Sequence, residues 1–315
     1  MRIIYVSYIR CLRPSIGSHR QDNSTKKKGH RVETYINVPV APPAHSARRT
    51  ESIKLYGPDA FAGMRRAGAL TARCLDGVAA LVRDGTPLAE INTFVLDFAA
   101  SHGARPATLG YKGYEYACCT SINHVVCHGF PNARKLREAD IVNVDVTLVL
   151  DGWYGDSSRM YAVGRPKRAA ERLVRIAHEA MMRGIRAVRP GARLGDIGHA
   201  IQSYAALERC SVVRDFCGHG IGQVFHDSPN ILNFGRQNTG PELREGMIFT
   251  VEPMINLGRP DVTMLSDDWT AVTRDRSLSA QFEHSIGVTA EGFEIFTLSP
   301  QGLHAPGVDL AAVHA

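Results

Sequence analysis

Apolar residues first fall into a sustained period after Gly57-Pro58, where Phe61, Met64, Gly68, Thr71, Leu75, Val78 and Val82 recur at steps of three and four. That spacing gives a helix one apolar face; Pro58 suits its first position and Asp84-Gly85 its end. A second helix is expected from Thr86-Pro87, burying Leu88, Ile91, Val95 and Phe98 and stopping at Gly103. Short β-branched runs follow. Beyond Pro166 the pattern predicts two more helices, one running to about Arg189 and one from Leu194 to Cys210.

The two halves of this pattern repeat one another. Residues 82–91 match residues 188–197 at five of ten positions. Further on, Val126, His128, Pro131 and Asn132 match Val224, His226, Pro229 and Asn230, and residues 136–145 match residues 243–252. Three matches in the same order imply a duplicated helix, helix, strand unit packed about a pseudo-twofold axis. His128 then falls opposite His226, and Asp145 opposite Glu252. A site on the axis would draw a histidine and a carboxylate from each half.

Outside the repeat, residues 1–48 read as a basic, largely disordered extension. It carries Lys26-Lys27-Lys28 and a short proline-rich linker around Val38-Pro39-Val40-Ala41-Pro42-Pro43. Residues 49–300 form the expected catalytic domain, and residues 301–315 a short tail. Charge sharpens this division. The first fifty residues hold ten Lys/Arg against Asp22 and Glu33, so with a chain total of +6 the remainder sums to 6 − 8 = −2. The domain therefore lacks the basic surface of a DNA reader. The extension itself can be read as a ribosomal RNA contact, a plain linker or an organelle transit peptide. Seven cysteines without a CxxC pair point to a reducing compartment, here the cytoplasm. No apolar run approaches the ~20 residues of a membrane span.

The candidate chemistry begins in residues 144–156, where Asp151-Gly152 is a hairpin turn signal between two apolar runs. A two-residue turn sets Asp145 opposite Ser158 and Thr147 opposite Asp156. Both aspartates then share one face, diagonal neighbours at ~7–8 Å. Either a cation lies between them or the hairpin faces solvent with two harmless acids, and the hairpin alone leaves both open. His219, inside Gly218-His219-Gly220-Ile221-Gly222, can be structural or ligating. Glu252 before Pro253 and Glu283 before His284 each interrupt an apolar run. Together these five donors suit paired Mn, Fe, Co or Zn ions better than a thiolate cage.

An Asp, a second Asp eleven residues on, Gly-His-Gly-x-Gly, Val-Glu-Pro and a late Glu, in that order, closely resemble the type I methionine aminopeptidases over residues 55–298. The resemblance implies an α+β, duplicated pita-bread fold, an antiparallel sheet backed by helices with pseudo-twofold symmetry. It also implies two divalent ions held by Asp145, Asp156, His219, Glu252 and Glu283, with Asp156 and Glu283 bridging. The expected reaction is removal of the N-terminal methionine from nascent proteins by a metal-bridged hydroxide, with Glu252 as general acid and base. His226 would hold the scissile carbonyl and His128 the departing nitrogen. Tyr111, Tyr114, Cys119, Phe225 and Trp269 would line the methionine pocket, and Asn123, Val125 and Ser279 would bind a monovalent cation. Thr108 departs from the pattern, since many bacterial members have a pocket cysteine there. A monomer is expected.

Two rival readings remain. Proline-directed relatives, aminopeptidase P and prolidase, share the ligands and fold but bring a large folded N-terminal domain that fifty basic residues cannot supply. Non-catalytic members that bind ribosomes or RNA have lost ligands, whereas all five donors are present here.

Overall fold

In the computed structural model, the described residues are 33–40 and 49–306. All four expected helices form: α1 (Pro58–Val78), α2 (Leu88–Ser101), α3 (Arg168–Arg186) and α4 (Leu194–Leu207). The first is shorter than its apolar period, because Ala79–Leu81 tightens into a 3-10 turn before Asp84-Gly85. No helix among the described residues is long and apolar enough to cross a membrane.

The expected disordered extension needs a correction. Thr34–Val40 is a strand, paired antiparallel along its whole length with Arg49–Leu55. Ile36, Val38, Ile53 and Leu55 alternate onto the core beneath α3 and α4, a period of two that the prolines obscure in the sequence. Pro39 is tolerated because the ribbon has two strands, so its missing N–H interrupts no central ladder. Residues 1–32, with the lysine run and the transit-peptide reading, lie outside the described residues. So do residues 41–48 and 307–315.

The helices back a nine-stranded sheet in which every pairing is antiparallel. At its centre Trp153–Ala162 pairs with Glu283–Val288. Ile141–Leu150 and then Cys119–Ile122 lie on one side; Ile248–Val251 and then Gly218–Gly220 lie on the other. The order is symmetric about the central pair, as the duplicated sequence requires.

Backbone bonds reproduce the symmetry bond for bond. Gly85 N–H donates to Leu136 O (2.9 Å) and Leu136 N–H to Thr86 O (2.8 Å). In the second copy Gly191 N–H donates to Leu243 O (2.9 Å) and Leu243 N–H to Ala192 O (2.7 Å). Gly85 and Gly191 sit at φ 83° and 85°, left-handed values that glycine adopts without a Cβ penalty. The repeated glycine is thus the corner between the two helices of each copy, tied to the residue that leads into that copy's strand.

Each copy has its own core. Leu75, Val78, Ile91, Val95 and Leu136 pack on Val142, Val144, Val146 and Leu148, and Met181, Ile185, Ile197 and Ile201 gather with Leu243 and Phe249. Each fully buried aliphatic side chain contributes ~1.5–3 kcal/mol. The even-numbered residues of Ile141–Leu150 face the helices. Its odd-numbered residues, Asn143, Asp145, Thr147 and Val149, are therefore left for the opposite face.

Candidate metal centre

The long hairpin has the register expected from its turn: Asp145 opposes Ser158 and Thr147 opposes Asp156. Asp151 and Gly152, at φ 52° and 80°, make the two-residue turn. Glu283 also pairs with Ser158, from the other side. Asp145, Ser158 and Glu283 thus stand abreast on three neighbouring strands, with Asp156 two residues away on the same face.

The second copy completes the set. Glu252 follows Ile248–Val251 directly, and the Val251–His284 pairing carries it toward Glu283. His219 lies on the adjoining strand, its Nε2 3.6 Å from Asp156 Oδ2 and 3.7 Å from Glu252 Oε1. Ligand atoms of Asp156, His219 and Glu283 all lie within 4.8 Å of one another. Asp145 and Glu252 are half-buried at the margin of this trio.

Burial dominates the electrostatics. It pushes the Asp145 carboxyl up to about 7 and that of Glu252 up to about 8. Asp156 and Glu283 are driven well above the usual carboxylate range, first by burial and then by repulsion, from Asp145 and from Asp156 respectively. Burial also lowers His219 to about 4 and keeps its imidazole neutral. Its Nδ1–H donates to Gly220 O at 3.0 Å, which turns the Nε2 lone pair toward the carboxylates. Four carboxylates and a neutral imidazole converging without a cationic side chain fit divalent metal, since only positive charge among them lets all four ionise.

Three further side chains support these donors. Thr147 Oγ1 donates to Asp156 Oδ1 at 2.6 Å, and Thr250 Oγ1 donates to Glu252 Oε1 at 2.7 Å while accepting from His219 N–H at 3.0 Å. Gln281 Nε2 donates to Glu252 Oε2 at 3.3 Å. The hairpin register already contained the Thr147 contact; the other two depend on how the second copy folds.

The expected pocket residues fall into two aromatic groups. Tyr111, Phe225 and His226 stack beside His219: Phe225 is 4.9 Å from Tyr111 and 4.1 Å from His226, which is 4.2 Å from the His219 ring. Tyr114, Trp269 and His128 form the other, with Trp269 5.0 Å from Tyr114 and 6.1 Å from His128. Cys119 is buried beside Asp145, its strand partner. Thr108 does not open onto free space; its hydroxyl donates to Tyr116 O at 2.9 Å. Of the expected monovalent-cation residues, Asn123 and Ser279 meet through Ser279 N–H to Asn123 O at 2.8 Å. The buried Ser279 Oγ has no hydrogen-bond partner, and Val125 lies two residues from Asn123 at the start of Val125–Cys127.

Comparison with known proteins gives the same picture. Residues 62–290 match the model of metallopeptidase family M24. The chain is 58% identical over 257 residues to the methionine aminopeptidase of Rickettsia prowazekii, covering 81% of this chain and 99% of that one. It is 48% identical over 249 residues to methionine aminopeptidase A of a Synechocystis species, covering 79% and 98%. The solved structure of the Rickettsia enzyme superposes with a TM-score of 0.78 at 57% identity, over 78% of this chain and all of that one.

Proposed function

The chain belongs to metallopeptidase family M24, among its methionine aminopeptidases, and on that premise we propose that it releases the first methionine of newly made proteins at a two-metal centre. The observation carrying this reading is the convergence of Asp145, Asp156, His219, Glu252 and Glu283 from both copies onto one face of the sheet. Those residues would hold two ions from the group Mn, Fe, Co and Zn. When bound, the ions would supply Lewis acidity, making a water acidic enough to attack near neutral pH.

The side chains do the rest. Glu252, oriented by Thr250 and Gln281, takes the proton of the attacking water and returns it to the departing amine. His226, exposed above His219, meets the scissile carbonyl, and His128, half-buried against Trp269 and Phe216, meets the leaving nitrogen. Burial lowers His128 to about 4, so it acts as a neutral imidazole. The methionine side chain lies among Tyr111, Tyr114, Phe225 and Trp269, near the Cys119 thiol. Burial raises that thiol well above its ordinary value, leaving a soft, uncharged neighbour for a thioether. The free amino terminus is held near Asp145, which restricts cleavage to the first residue. A monovalent cation at Asn123, Val125 and Ser279 would brace the adjoining loops.

None of the six cysteines among the described residues is in a disulfide, in keeping with a cytoplasmic monomer acting on nascent chains. The basic extension would touch ribosomal RNA. Ribosome association should then fall steeply with salt and vanish on deleting residues 1–32; an unchanged salt slope refutes it. The test of the activity is release of free methionine from Met-Ala-Ser and Met-Pro-Ser by metal-free protein and after addition of Mn, Co, Fe or Zn. Metal-dependent cleavage of both, with Ala-Pro-Ser intact, is the expected result. Cleavage of Ala-Pro-Ser would instead indicate a proline-directed enzyme.

A further inference from the structure

Beside the centre lies a cleft of about 470 Å³ whose inner end shares Tyr111, Phe225 and His226 with the site above, while its outer part, around Arg105, Leu109 and Val224, has no role in the chemistry. Its place follows from strand register. Arg105 and Tyr154 flank Val149 on neighbouring strands, as Cys119 and Ser158 flank Asp145. Val149 lies four residues along from Asp145, so the two share a face and stand ~13 Å apart. The cleft is therefore a continuation of the metal face. His226 and Phe225 line it at the end nearest His219, and Arg105 lines it farther out.

Its walls mix polar and apolar side chains, are accessible, and carry charge of one sign. Leu109 and Val224 are 48% and 51% exposed, although both are large aliphatic residues. None of the lining residues is acidic, and Arg105, itself exposed, makes one long contact, to the Tyr154 hydroxyl at 3.5 Å. Lys112 adds a second positive charge at the rim, 5.1 Å over the Tyr111 ring.

We propose that the outer part of this cleft seats the substrate chain beyond its scissile bond, and that Arg105 favours an acidic side chain at the fourth or fifth residue of the protein being trimmed. The inference rests on the reading above, in which the substrate's amino end sits near Asp145. An extended chain advances ~3.3–3.6 Å per residue, so ~13 Å carries it to the fifth residue, and the reach of an arginine side chain brings in the fourth. The partner is chosen by charge complementarity in an open cleft, where such a pair tunes preference rather than dominating affinity.

The test compares kcat/KM for Met-Ala-Ser-Glu-Ser-Gly with Met-Ala-Ser-Lys-Ser-Gly, and for the matching peptides with the charge at position five. It uses metal-loaded wild type, Arg105→Ala and Arg105→Glu. Each protein supplies its own reference, because only the Glu-to-Lys ratio within it is read. At low salt the wild type should favour the glutamate peptide by about three- to fivefold. The ratio should approach one in Arg105→Ala, invert in Arg105→Glu and flatten in high salt. Equal ratios in all three proteins, with Met-Ala-Ser still cleaved by wild type, overturn this inference alone. Failure to cleave Met-Ala-Ser with any metal overturns the parent reading and this one with it.

Discussion

In the first copy of the duplicated unit, the two candidate-site aspartates, Asp145 and Asp156, ride on a hairpin of two ten-residue strands. In the second, His219, Glu252 and Glu283 come from strands of three, four and six residues or their ends. The frames nevertheless coincide at Gly85 and Gly191 and at Leu136 and Leu243. What differs is how side chains are aimed. A long regular ladder fixes Asp145 and Asp156 by register, whereas the short strands rely on ties from Thr250, Gln281 and the Gly220 carbonyl. Equivalent positions have been put to different uses: Asn143 binds Ser158 Oγ and Gln281 O, joining the copies, while its counterpart Thr250 steers Glu252 and His219. Duplication preserved the scaffold while the chemistry diverged.

The largest effect should come from chemistry unique to the second copy. Glu252→Gln should lower kcat about 100- to 10,000-fold while leaving the melting temperature near that of wild type. Normal turnover would remove Glu252 from the mechanism. Next comes the shared frame. Leu136→Ala and Leu243→Ala, both at fully buried positions, should each cost about 2–5 kcal/mol in urea unfolding and agree within about 1 kcal/mol. A clear inequality would mean that the copies bear the fold unequally.

A smaller, graded effect spans the two copies. Asp145 at about 7 and Glu252 at about 8 lie above their ordinary values of 3.8 and 4.5, so the folded protein keeps protons that the unfolded chain releases. Without metal, stability should therefore fall as pH rises from about 4 to about 8. Divalent metal should reverse the trend, because binding favours the deprotonated carboxylates. Thermal melts across that range check the sign, and a metal-free protein that grows more stable toward pH 8 contradicts it. Smallest is the hairpin turn. Gly152→Ala, at φ 80°, should cost about 1 kcal/mol and leave kcat unchanged, since ten paired positions hold the register without help from the turn.

The contrast also explains what the sequence made legible. Local signals sufficed for the helices, the Asp151-Gly152 turn and the facing of Asp145 and Asp156, because each depends on a period or a turn within a few residues. The duplication was readable because Gly85 and Gly191 serve the same left-handed corner. The Thr34–Val40 strand was hidden: its partner, Arg49–Leu55, lies across a gap, and Pro39 is a poor strand former. Thr250 and Gln281 were hidden for a related reason. Each touches Glu252 through tertiary placement, which no spacing in the chain encodes.

Ser157 and Ser158 pair with His284 and Glu283, the rungs that join the two halves of the sheet. During synthesis the hairpin that ends at Ala162 must wait for about 121 more residues (283 − 162) before its neighbour exists. At typical elongation rates that is roughly 6 to 24 s with a strand edge unpaired, the kind of edge on which chains aggregate. Asp156, Ser157, Ser158 and Arg159 make that edge polar. Residues that later face the site and close the sheet thus also give the unfinished hairpin a polar edge in place of an apolar one.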